Sequence, residues 1–146
     1  MPLRFKYQEL LDEMLASGAK MPELFDISHE RAFRFVNSDD ASQNHLPGYV
    51  RNPRRLIQAR ENGKLETTNI ALSCFPTAMS AEKFYKYLSR VMKHIDQKIG
   101  NALSTGYLEK IDGAKTAEDE NHHYDLYEYE GCALGSKFNI IKQFTP

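Results

Sequence analysis

An α+β fold is what this chain predicts: an antiparallel sheet of about five strands with helices packed on one face, in a single domain spanning residues 1–146. Three observations carry that expectation. Apolar residues at three- and four-residue spacing mark amphipathic helices at 7–15 and 80–99. The last third of the chain holds consecutive strand-like segments at 103–111, 124–130 and 138–144. Strands that follow one another without an intervening helix pair antiparallel, which segregates the helices to one side.

Each element has its own justification. Tyr7, Leu10, Leu11, Met14 and Leu15 share one helical face, and Ser17-Gly18 stops that helix. In the run from Arg31 to Val36, Phe33 and Phe35 share one face and Arg34 points to the other, as in a half-buried strand. Residues 37–53 are rich in Ser, Asp, Asn, Gly and Pro, a loop long enough for so small a domain to hint at function or mobility. Pro53 suits the first turn of a short helix that ends by Glu61-Asn-Gly-Lys64. A buried strand follows at 69–75, closed by Pro76. Ser80 is the expected N-cap of the longest helix, whose stripe is Phe84, Leu88, Val91, Ile95 and Ile99 and whose stop is Gly100. Asp112-Gly113 turns the chain after the strand at 103–111, and residues 115–121 read as polar loop. Tyr124 to Glu130 alternates, and Phe138, Ile140 and Phe144 line one side of the last strand.

Bulk properties exclude several classes. The hydrophobic content of 41% and charged content of 27% are those of a globular chain. A formal net charge of -1 argues against a general nucleic-acid binder. Neither a signal-peptide core nor a membrane-length apolar run is visible, so a cytoplasmic, non-membrane protein is expected. The two cysteines, Cys74 and Cys132, have no spacing that marks a disulfide framework, a zinc knuckle or a nucleophile. No phosphate-cradling glycine loop, nucleophile elbow or His-Glu-x-x-His motif is present.

Charge is nevertheless segregated. Residues 118–130 hold six acids, two adjacent histidines and three tyrosines without a lysine or arginine. Alternation through that strand puts His123 beside Asp125, so the two could share a metal ion or a proton. Its opposite is the stretch from Arg51 to Arg60, which carries Arg51, Arg54, Arg55 and Arg60 with no acid and is preceded by Tyr49. Arginines at a helix start can hold an anion or dock an acidic protein surface, including the Glu118 segment of a second copy in a homo-oligomer.

A third pattern depends on order along the chain: Arg34 in mid-strand, Ser73 in the buried Leu-Ser-Cys strand, and Glu128-Tyr-Glu130 in a later strand. This order resembles that of the Arg-Ser-Glu class of ADP-ribosyltransferases, which usually show Ser-Thr-Ser where this chain has Leu72-Ser73-Cys74. The resemblance implies NAD as cofactor, with Arg34 on its pyrophosphate, Ser73 orienting the dinucleotide, Glu130 at the ribose and Glu128 directing the acceptor. Two functions are thus expected of the sequence. The first is a binding domain that recognises a protein or small anionic ligand through Arg51 to Arg60 and the loop before it. The second is an NAD-consuming enzyme using Arg34, Ser73, Glu128 and Glu130.

Overall fold

The computed structural model describes residues 3–144. Its elements run α1 (Gln8–Ala16), β1 (Phe25–Asp26), β2 (Glu30–Val36), α2 (Gly48–Arg51), α3 (Pro53–Asn62), β3 (Leu72–Cys74), α4 (Ala78–Val91), α5 (Ile95–Lys98), β4 (Ala102–Leu108), β5 (Gly113–Lys115), β6 (Tyr124–Glu128) and β7 (Asn139–Gln143). The class is α+β, and all strand pairs are antiparallel. The expected single sheet is instead two. One has four strands in the order β1-β5-β6-β3, and the other has three in the order β2-β4-β7. A single bridge between Phe33 and Phe75, with two hydrogen bonds of 2.9 Å, sews them together.

A tight turn explains the division. After β4 the Asp112 amide donates to the Glu109 carbonyl, and the Glu109 amide donates to the Asp112 carboxylate at 2.8 Å. Lys137 pairs with the same carboxylate. This knot ends the strand at Leu108 rather than 111 and delivers β5 to β6 instead of to β4. β4 is left to pair with β2 on one side and β7 on the other.

Three apolar clusters set the layers. Ile27, Ala32, Leu72, Cys74, Leu108, Tyr124, Leu126 and Leu134 form one, with residues from both sheets. Leu11 and Met14 of α1 pack with Tyr49, Ile70 and Tyr127. Phe33, Phe75, Ala81 and Leu103 seat α4 on the three-stranded sheet. Both faces of β2 are therefore covered, and Arg34, expected on a half-exposed face, is only 6% exposed. Burying each such leucine or phenylalanine stabilises the fold by about 1.5–3 kcal/mol.

Local signals hold where chemistry is local. Helix α3 starts at Pro53 and ends at Gly63 in the left-handed region. The long helix expected over 80–99 is two helices. Thr77, not Ser80, caps α4, its hydroxyl oxygen accepting from the Ser80 amide at 3.1 Å. The chain then extends at Met92 and turns left-handed at His94 before α5. A tertiary bond accounts for the break: the Tyr85 hydroxyl donates to the Gly100 carbonyl at 2.8 Å, which requires the chain to double back along α4. The loop over 37–53 is also ordered. It contains a 3-10 turn (Ala41–Gln43) and α2, and Asn37 and Asn44 clasp each other by two hydrogen bonds. Of the buried strand expected at 69–75, only Leu72–Cys74 is strand, preceded by a 3-10 turn (Thr67–Ile70). Among the described residues no helix is long and apolar enough to cross a membrane.

Candidate functional site

A cleft of about 550 Å³ opens where the two sheets meet. Arg51 of α2 and Arg55 of α3 line it, together with Arg34, Lys98, Ser73 and His123, and Phe75, Phe84 and Leu88 give it an apolar wall. Among the described residues, Asp119 is the sole carboxylate of the lining. Neither Arg51 nor Arg55 has an ion-pair partner among the described residues. Burial, and then the charges of Arg34 and Arg55, hold the Arg51 guanidinium below its ordinary proton affinity. Neighbouring like charges of this kind favour an anion between them.

Gly48 shapes the cationic wall. A Cβ there would stand 2.9 Å from Asn69 Oδ1 and 3.4 Å from Arg55 Nη1. The missing side chain lets Asn69 accept from Arg55 Nη2 at 3.1 Å and so aim the guanidinium. Arg34 is committed to the scaffold: it donates to the Ser73 carbonyl at 2.6 Å, the Asn44 carbonyl at 2.9 Å and His45 Nδ1 at 3.1 Å. It thereby ties the loop over 37–53 to β3 and fixes the rim of the cleft.

The basic stretch divides among different tasks. Arg60 grips Glu13 of α1 through two hydrogen bonds of 2.6 and 2.8 Å. Tyr49, expected to touch a ligand, is buried in the core and accepts the Glu66 amide on its hydroxyl oxygen at 3.1 Å. Arg54 is exposed and absent from the cleft lining. Of the five expected ligand contacts, Arg51 and Arg55 alone face the cleft.

Arg34, Ser73, Glu128 and Glu130 are not gathered at one point. Ser73 lies directly opposite Asp125 in the β3–β6 ladder. Alternation then places Glu128 on the other face of β6, with Tyr124 and Leu126. There it is 3% exposed and paired with Lys6 at 2.7 Å. Glu130 pairs with Arg4 on the surface.

His123 has partners that sequence reasoning did not join. Its Nε2 lies 3.0 Å from Ser73 Oγ, and its Nδ1 lies 3.6 Å from Asp119 Oδ2. Asp125 Oδ1 flanks Nε2 at 3.6 Å, and burial raises the proton affinity of that carboxyl. Among the described residues no three His, Cys, Asp or Glu side chains gather as a metal site, so the expected pair His123 and Asp125 lacks a third ligand. Asp119 is held firmly: its Oδ1 accepts from the amides of Asn121 at 2.8 Å and His123 at 3.0 Å, in a turn where His122 takes φ 64. The chain matches no known family model, no curated protein and no solved structure.

Proposed function

We propose that this protein binds a small anion, a carboxylate or phosphate with an apolar body, in the cleft between the two sheets. The observation that carries this reading is the pair Arg51 and Arg55, which line one concave site and, among the described residues, have no ion-pair partner and share that lining with one acid. A guanidinium fork suits both carboxylate and phosphate oxygens. The size of the cleft, about 550 Å³, fits a small molecule. Phe75, Phe84 and Leu88 would take the apolar part.

Thermal unfolding in the presence of inorganic phosphate, and then of a panel of organic carboxylates and phosphates, tests this. Ligand at a hundred times its dissociation constant adds about 2.7 kcal/mol, a rise of about 5–10 °C for a domain of this size. The rise should vanish in the double variant Arg51→Ala, Arg55→Ala and persist in Arg54→Ala. Equal stabilisation of all three proteins would remove the cleft from the explanation.

A further inference from the structure

We infer that Ser73, His123 and Asp119 form a hydrolytic site at the edge of this cleft, acting on a small ester or thioester whose anionic end lies against Arg51 and Arg55. The choice of substrate rests on the anion-binding reading above; the catalytic residues rest on their own geometry. Ser73 is exposed on the cleft side of β3, because its neighbours Leu72 and Cys74 point into the core. Its hydroxyl is within hydrogen-bond reach of His123 Nε2, at 3.0 Å. The other ring nitrogen faces Asp119 Oδ2 at 3.6 Å, longer than a formed hydrogen bond, as is common before substrate tightens a site. Nucleophile, base and orienting carboxylate thus follow one another in the order that acyl transfer needs.

The supports are specific. Asp119 spends one oxygen on two backbone amides and keeps the other free for the imidazole. The left-handed His122, a strained conformation for a non-glycine residue, closes the turn that sets this arrangement. Phe75 packs its ring edge-on against the His123 ring, with centroids 5.6 Å apart. Asp125 lies close enough to stabilise the imidazolium once it forms.

The chemistry balances with water as the only co-reactant. Ser73 Oγ attacks the acyl carbon as its proton passes to His123 Nε2, and the carbonyl electron pair moves onto oxygen. The tetrahedral centre collapses, the bond to the leaving oxygen or sulfur breaks, and His123 returns the proton to that group. Water then repeats the sequence on the acyl-serine, and the acid and free Ser73 are released. Ser73 and His123 are the catalytic residues, and Asp119 is a positioning residue.

The test uses the full chain with a fluorophosphonate probe and two esters: mono-para-nitrophenyl glutarate, which carries one carboxylate, and neutral para-nitrophenyl butyrate. One label per chain, mapped to Ser73, is expected. The glutarate ester should be cleaved at least tenfold faster in kcat/KM than the butyrate, and Arg51→Ala with Arg55→Ala should erase that preference. Ser73→Ala and His123→Ala should reduce both labelling and turnover to background. Asp119→Asn keeps the acceptor that holds the turn but cannot accept from the imidazole, so kcat should fall tenfold or more while KM stays unchanged. Absence of labelling, or turnover that survives in Ser73→Ala, would overturn the hydrolytic site. Thermal shift by phosphate in Ser73→Ala separates the two ideas: a retained shift beside an unreactive wild type leaves the anion cleft standing and removes the catalysis.

Discussion

His45 accepts the Nε hydrogen of Arg34 on its Nδ1, at 3.1 Å, and can do so only while that nitrogen is unprotonated. Burial first, then the charges of Arg34 and Lys6, lower its pKa from 6.5 to about 4. In the unfolded chain it takes up a proton near 6.5. Between these values the unfolded state holds more protons, so stability falls as pH drops through that window. The slope should be roughly 1 kcal/mol per pH unit after allowance for partial exposure. Urea midpoints across the window, compared with those of His45→Gln, isolate the effect; an unchanged slope in the variant would assign it to other groups. The thiols behave in the opposite sense. Burial pushes Cys74 up to about 11 and Cys132 up to about 12, which leaves both as thiols at neutral pH. A disulfide-exchange reagent should therefore react with neither in the native protein and with both once it is unfolded.

At the scale of elements, junctions matter more than helices and strands. Between α4 and α5, His94 sits at φ 58, where a Cβ is costly and glycine is not. His94→Gly should raise stability by about 0.5–1 kcal/mol, and loss of stability in thermal unfolding would show that the histidine side chain has work of its own there. Beside β6, the ammonium of Lys6 compensates the buried carboxylate of Glu128, whose side chain is 2% exposed. Lys6→Met would strand that charge and should cost about 3–5 kcal/mol, with part of the loss recovered when Glu128→Gln is added. Pro53 and Gly63 marked α3, while periodicity marked α1 and β6, whose apolar residues meet the core clusters. Periodicity could not mark β1, of two residues, or β5, of three, which are too short for a period and exist through their ladder partners.

Across the whole molecule, the Phe33–Phe75 bridge is the joint between the sheets, and the cleft lies beside it. Phe75 is 1% exposed and touches Phe35, Phe84 and His123, so it couples core, joint and site. Phe75→Ala should destabilise by about 3–5 kcal/mol. An unchanged urea m-value would mean that both sheets still unfold together, and a lower one that the joint had separated them. By itself the sequence determined the α+β class, the helix starts and stops set by proline and glycine, and the segregation of charge. Those properties are local: they depend on spacing along a strand or helix and on the conformational limits of single residues. Tertiary structure alone decided that the strands form two sheets, that Arg34 ties a loop down, and that Glu128 lies on the far face from Ser73. It also brought Ser73 to His123, fifty positions away, because that contact depends on the β3–β6 register. A one-residue slip in this pairing would turn Ser73 to the opposite face, and nothing within either segment read alone sets the register.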